Sequence, residues 1–315
     1  MDAQDVSRKR PGTPTAWVCG GCGLMFDPGR RNQRYHDERC KQKAYYQRTK
    51  RQKNVLRNAL LLPVLSLFPG IGLLDRAFEE CGLTVVRGPD LLWGDDIRDF
   101  HPQPGQFGGL IGGPPCQAFS RLRFVVQHHG YETAPNLIPE FERCVREAQP
   151  AWFLMENVKD APVPVIAGYH VHSQLLNNRT HGGGVQHRIR RISFGTHDGR
   201  QLMVPEVPEP EEYAPAVCAS GGVKPGIPTD RTTRLKYMGW KTREAYEQVR
   251  RLQGLPDDFE LPSFTVAGAI KAVGNGVPLP LGRAIAKAVG ETFTRLDSQS
   301  DGHEDVSLKE EGSER

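Results

Sequence analysis

Seven cysteines occur in the 315 residues, and four of them stand in contexts where chemistry calls for sulfur. Cys116 lies in GGPPCQAFS at 112–120, where two glycines and two prolines fix an unusual turn directly after a short apolar run. A thiol exposed by such a turn is a candidate nucleophile. The reactive form is the thiolate, and a helix N-terminus or nearby arginine lowers the ordinary thiol value of about 8.5. Glu156, in MENV at 155–158, ends the apolar run WFLM. A carboxyl partly buried against a strand suits a proton donor near neutral pH. In QHRIR at 186–190, Gln186, Arg188 and Arg190 alternate, so an extended backbone would carry both guanidinium groups toward one site. Cys81, Cys144 and Cys218 lack such a context and read as core or surface thiols.

The remaining three cysteines belong to a second pattern. Two residues separate Cys19 from Cys22, thirteen separate Cys22 from His36, and three more lead to Cys40. The first pair fits a tight turn through Gly20 and Gly21, while His36 and Cys40, four positions apart, share one helical face. The spacing predicts a tetrahedral zinc site. The chain continues as KQKAYYQRTKRQK, where lysines and arginines interleave with Tyr45 and Tyr46, a mixture suited to phosphate contact and stacking. Over about 40 residues this segment resembles the small zinc ribbons ending in a basic helix that are attached to many nucleic-acid proteins.

Charge divides the chain in three. Residues 1–57 hold fourteen Lys and Arg against five Asp and Glu, a net of +9; residues 58–295 balance at zero; residues 296–315 carry −5. The basic head is the electrostatic footprint of a phosphate-backbone binder, and the acidic tail has too little apolar content to fold. With 38% hydrophobic and 25% charged residues, most of the chain has the composition of a globular protein rather than of a fibrous or wholly disordered one. The longest apolar stretch, Ala59 to Phe68, is ten residues, too short for a membrane span of about 20. No secretory leader opens the sequence, so a soluble, cytoplasmic protein with reduced thiols is expected.

The elements that must position Cys116 and Glu156 begin at Leu60. Apolar runs alternate with helical stretches: strand 64–68, helix 73–80, strand 84–87, strand 110–111, helix 137–147 and strand 152–155. That is the rhythm of a doubly wound α/β sheet. Gly70 and Gly72, directly after the first strand, would let a cofactor approach the backbone and the next helix N-terminus. Asp90, 20 residues beyond Gly70 and just past the second strand, stands where a carboxylate meets ribose hydroxyls, although a surface loop acid would occupy the same position. From Thr196 to Lys241 proline, glycine and glutamate dominate and periodicity fades; helical patterns return at 242–252 and 278–293.

The ordered set LFPGIG, GGPPCQAFS, MENV, QHRIR, RLQGLPDDF at 251–259 and GNGVP at 274–278 resembles the cytosine-5 DNA methyltransferase family. The resemblance spans residues 64 to about 290 and implies a Rossmann-like S-adenosylmethionine-binding sheet acting on cytosine flipped out of duplex DNA. Carbon 5 of cytosine is a poor nucleophile, so the family adds a thiolate at carbon 6, here Cys116, while an acid, here Glu156, protonates ring nitrogen 3. By the same resemblance Arg188 contacts the base or steadies Glu156, Arg190 orients that acid, and Asn157 and Val158 hold its loop. Phe68, Gly70, Ile71 and Gly72 line the cofactor. Asp90 takes its ribose, Asp96 and Ile97 its adenine, and Pro115, Asn275 and Val277 finish the pocket.

Three departures stand out. Ser66 occupies a position commonly Asp, Gly108 stands where an Asp is frequent, and between Asp90 and Asp96 there is no room for the expected helix. The resulting organisation is a basic zinc module at 1–57, a catalytic and cofactor domain at 60–195, and a small target-recognition region at 196–241. The catalytic domain closes at 242–295, and an acidic tail occupies 296–315. Arg231, Arg234, Lys236, Lys241 and Arg243 are possible DNA contacts in or beside the recognition region. Monomeric action is expected. A catalytically inactive zinc-dependent DNA binder and a tRNA cytosine-5 methyltransferase are the competing readings.

Overall fold

The computed structural model describes residues 17–26, 33–47, 61–119, 135–217 and 242–294. The acidic tail, Cys218, Arg231, Arg234, Lys236 and Lys241 lie outside the described residues. The chain divides into two compact units, residues 1–55 and 56–315.

In the first unit, β1 (Trp17–Val18) and β2 (Met25–Phe26) form an antiparallel pair. The hairpin between them closes through Cys19 N–H donating to Leu24 O (2.9 Å) and Gly23 N–H donating to Cys19 O (2.9 Å). Helix α1 covers residues 38–47. Phe26 packs on the His36 ring with centroids 4.8 Å apart. Gly21 has no room for a side chain, because a Cβ there would lie 2.0 Å from Cys40 O.

The second unit is built on a six-stranded sheet. Its strands are β3 (Val64–Leu67), β4 (Val85–Arg87), β5 (Gly109–Gly112), β6 (Trp152–Asn157), β7 (His170–Asn177) and β8 (Ile189–Thr196), in the order β4-β3-β5-β6-β8-β7. The first four run parallel, whereas β8 is antiparallel to β6 and β7 antiparallel to β8. Strands β3 and β5 and the first four residues of β6 are buried throughout, as central parallel strands covered on both faces must be.

Helices α2 (Leu73–Glu80) and α7 (Leu279–Thr294) cover one face around Phe78, Trp152, Phe194 and Ile285. Helix α3 (Ile138–Ala148) covers the other around Phe141, Phe153 and Met155. This is the doubly wound α/β arrangement, with an antiparallel pair added at one end. Trp152 fits only because Gly109 lies opposite it in the ladder, where a Cβ would fall 2.1 Å from the indole. Helices α5 (Arg243–Leu252) and α6 (Val266–Asn275) pack on Leu73 and Ala77 of α2 through Tyr246, Ile270 and Val273. Thr242 and Thr265 cap them by accepting from Ala245 N–H (3.3 Å) and Gly268 N–H (3.1 Å). A short helix, α4 (Asn178–Gly182), follows β7.

Strands β7 and β8 were not among the expected elements, although the sequence reading had QHRIR in an extended segment. Much of β7 is only half buried and carries His, Ser and Gln, so it lacks the continuous apolar run of the parallel strands. The helix expected to be missing after the second strand is absent: residues 91–94 form a turn, and a 3-10 turn covers Ile97–Asp99. No helix among the described residues is long and apolar enough to cross a membrane.

Candidate active site

A cavity of about 550 Å³ opens at the carboxyl ends of β3, β5 and β6, where doubly wound sheets place their ligands. After β3 the backbone enters the left-handed region at Phe68 (φ 54°), Gly70 (φ 55°) and Gly72 (φ 76°). Gly72 is the residue before α2, so this turn aims the α2 N-terminus along the cavity. Left-handed Phe68 is costly for a residue with a Cβ, and such strain concentrates at ligand sites. A Cβ on Gly70 would meet no protein atom within 4 Å, leaving that space to a ligand.

Phe68, Gly70, Ile71, Asp90, Ile97, Pro115, Asn275 and Val277 all line the cavity, as the sequence pattern expects of them. Its size, the bare backbone at Gly70 and this mixture of apolar and hydrogen-bonding groups fit a nucleoside-bearing cofactor. Two expected residues are placed differently. Gly72 is turned toward the Arg87 guanidinium, and Asp95, not Asp96, reaches the wall. Asp96 caps the 3-10 turn through Arg98 N–H (2.9 Å) and pairs with the Arg98 side chain, which holds its carboxyl down to about 2. Asp90 accepts from Gly70 N–H (2.8 Å) and Leu92 N–H (2.7 Å), while Trp93 Nε1 donates to Gly70 O (2.7 Å). Asp90 thus fastens its own loop to the glycine turn.

Sequence reading missed one wall. Helix α6 presents Gly268, Lys271 and Ala272 to the cavity beside the expected Asn275, with Phe264 before them. Their three- and four-residue spacing was the available signal. It also missed where the first strand's absent acid went. Ser66 Oγ donates to Asp75 Oδ1 of α2 (2.5 Å), and Arg87 Nε donates to Asp75 Oδ2 (3.1 Å), so a carboxylate occupies that region from the neighbouring helix. Burial pushes the Asp75 carboxyl up, opposed by Ser66 and Arg87.

At the other end of the cavity, Cys116 opens a 3-10 turn (Cys116–Ala118) after β5. Asn157 Nδ2 donates to Pro114 O (3.0 Å), pinning the cysteine turn to the strand that carries Glu156. Arg190 Nε meets Glu156 Oε1 at 2.8 Å, with both side chains mostly buried. Cys116, Glu156 and Arg190 all line the cavity. The expected depression of the thiol is not found. Burial and then the Glu156 charge push the Cys116 thiol up, and Arg190 and Arg188 only partly offset them.

Arg188 and Gln186 do not share the cavity wall with Arg190. Arg188 donates to the carbonyls of Val217 (2.8 Å), Gly274 (2.9 Å) and Gly276 (3.2 Å). Gln186 donates to Leu252 O and Gln253 Oε1 (2.9 Å each) and accepts from Val217 N–H (2.9 Å). The alternation expected for QHRIR fails because β8 begins only at Ile189. Gln186 instead bridges to Ala214 and is buried. Both side chains bind backbone around the cavity.

In the first unit, the ligand atoms of Cys19, Cys22, His36 and Cys40 all lie within 4.8 Å of one another. Cys22 Sγ is 3.1 Å and Cys40 Sγ 3.9 Å from His36 Nδ1, bracketing the ligand–ligand spacing of about 3.5 Å in tetrahedral zinc sites. Gly21 N–H (3.4 Å) and His36 N–H (3.5 Å) donate to Cys19 Sγ, as they would to a metal-bound thiolate. Three sulfurs and one imidazole fit zinc.

A family model described as C-5 cytosine-specific DNA methylase matches residues 94–162 and 242–291. The Type II methyltransferase M.FnuDI of Fusobacterium nucleatum is 26% identical, the match covering 74% of this chain and 95% of that protein. M.NgoPII of Neisseria gonorrhoeae is 22% identical, over 74% of this chain and 97% of its own. Among solved structures, the S. pombe Dnmt2 methyltransferase matches 75% of this chain and 99% of its own at 12% identity, with a TM-score of 0.49. Over these stretches the chain is similar to C-5 cytosine-specific DNA methylases.

Proposed function

We propose that the protein methylates carbon 5 of cytosine in duplex DNA from S-adenosylmethionine, with Cys116 as nucleophile. One observation carries this reading: Cys116 and the Glu156–Arg190 pair line the same cavity as the glycine turn after β3. The cofactor would be held by Phe68, Gly70, Ile71, Ile97, Asn275 and Val277, with Asp90 or Asp95 toward its ribose, and it supplies an electrophilic methyl group. The target base must leave the duplex stack to reach a thiol that stands inside a cavity. Cys116 sulfur then bonds carbon 6 as Glu156 delivers a proton to ring nitrogen 3, which turns carbon 5 into a nucleophile. Arg190 holds the Glu156 carboxyl in line. Carbon 5 would then accept the methyl group, the cofactor leaving as its neutral thioether; loss of the carbon 5 proton to a base, departure of the Cys116 thiolate and return of the nitrogen 3 proton to Glu156 restore the aromatic ring. Because the thiol is held up in the free protein, its proton must leave as the base arrives; the Glu156 carboxylate in the same cavity would take it and pass it to ring nitrogen 3, while Arg190 and Arg188 supply the positive field that favours the thiolate.

Cys19, Cys22, His36 and Cys40 would hold a structural zinc, whose chemistry is to fold the module by completing four ligands. Residues 242–294 complete the catalytic body, and the 196–241 segment would read the target sequence. The reading places the protein with DNA, in a bacterial cytoplasm or nucleoid. Bisulfite sequencing of plasmid DNA, after expression in a host lacking cytosine methylation, tests the activity. Protected cytosines in one short context are the expected result. Full conversion with soluble protein present would overturn it, and transfer to tRNA alone would establish the RNA-directed reading.

A further inference from the structure

The protein divides its charge unevenly for an enzyme acting on a polyanion. The body that holds the cavity, residues 58–295, has a net charge of zero, whereas the preceding 57 residues carry +9. Helix α1 shows where part of that charge is presented. Only Cys40 and Ala44, one turn apart, are half buried; Arg39, Lys41, Lys43, Tyr45 and Tyr46 are exposed. Tyr45 and Tyr46 are 73% and 61% exposed, an unusual cost for two adjacent aromatics unless a partner covers them. Asp37 Oδ1 accepts from Cys40 N–H (2.7 Å) at the start of the helix, so its orientation is tied to a zinc-ligating residue. The sequence after the described part of the helix adds Arg48, Lys50, Arg51, Lys53 and Arg57.

We propose that the exposed face of α1 is the protein's electrostatic anchor on duplex DNA. Lys41 and Lys43 lie on phosphates while Tyr45 and Tyr46 pack against the sugar–phosphate edge, outside the target base pair. The assignment deepens the DNA-directed reading and rests on it. It gives the module a task for which its net +9 suits it better than the net-neutral body, long-range attraction to a phosphate backbone. The face commits to DNA rather than to a protein partner because its aromatics stand among cations, with Glu38, itself paired to Lys41 at 3.0 Å, the acid beside them.

The test uses the full chain loaded with zinc and a fluorescein-labelled duplex of arbitrary sequence, titrated by anisotropy over a range of salt. Each phosphate contact contributes about 0.9 to the slope of log affinity against log salt. The Lys41→Gln/Lys43→Gln variant should therefore lose about 2 from that slope and bind at least tenfold more weakly at low salt. Tyr45→Ala/Tyr46→Ala should weaken binding severalfold with the slope unchanged. Zinc content equal to wild type shows that the module is folded in each case, and methyl transfer to saturating plasmid DNA should be unaffected. Unchanged slope and affinity in the lysine variant overturn the proposal, as does concentration-dependent self-association of the wild type that the tyrosine variant abolishes. Wild-type methyl transfer, measured in parallel, is a separate readout: its absence would sink the catalytic reading, whatever the slopes show.

Discussion

The two units reach order by different means. The α/β body buries Trp152, Phe141, Phe153, Phe194 and three clusters of aliphatic side chains, so apolar burial specifies it. Among the described residues of the zinc module, the buried apolar side chains are Cys19 and Phe26 alone, and its strands are two residues long. So small a core cannot offset the entropy of ordering a chain, and a metal held by Cys19, Cys22, His36 and Cys40 would supply the difference. The body, in turn, carries the cavity and no net charge, while the module carries the charge. Stability, chemistry and attraction to DNA should therefore respond to separate perturbations.

The sharpest test of that separation is Cys116→Ala, which should take methyl transfer below detection and leave zinc content and salt-dependent DNA binding at wild-type values. Residual turnover would remove this thiol from the mechanism. Next in size is Glu156→Gln, expected to lower kcat/KM by about 10²–10⁴-fold. Its pH profile is as informative as its rate. Because the Cys116 thiol is held above its ordinary value, activity should climb with pH as the thiolate fraction grows. Removing the Glu156 charge should move that inflection to lower pH, whereas Arg190→Ala should move it higher. An inflection unmoved by either substitution would detach the rise in rate from Cys116.

Within the body, Trp152→Ala should cost about 3–5 kcal/mol in urea unfolding, since Gly109 leaves nothing to refill the space. Zinc content should be untouched. Cys22→Ser should do the reverse, lowering zinc stoichiometry and collapsing the module's amide dispersion in NMR spectra while the body's cooperative thermal transition persists. If that transition moved by many degrees, the division of labour would be wrong. The smallest effect is expected for Gly72→Ala, about 1–2 kcal/mol from the left-handed backbone, because the Arg87 side chain it would meet can swing aside.

What the sequence showed depended on how local the physics was. The central parallel strands β3, β5 and β6 read as apolar runs because both their faces are covered, and the cluster of Cys19, Cys22, His36 and Cys40 read from spacing because a tight turn and one helical turn set their separations. Cys116, Glu156 and Arg190 were legible as types in order, and the structure brings them to one cavity. Arg188 and Gln186 were read by extending the strand period three residues too far, into a stretch whose partners include Ala214 and Val217. Asp96 lost its place to Asp95 because a neighbour, Arg98, was able to claim it. Asp75 was invisible as a substitute for the acid missing at Ser66, since it lies nine residues away and meets it only when α2 folds back on β3.

The clamp at Val217 has a practical side. Its N–H is held by Gln186 and its carbonyl by Arg188, and the chain re-enters at Thr242, which caps α5. The 24 residues of 218–241 are thus spliced between two fixed posts that belong to the body. A stretch borrowed from a relative would inherit those posts if cut at the same points. This makes 218–241 the segment to exchange when testing whether it sets a target preference, since the reacting residues would stay as they are.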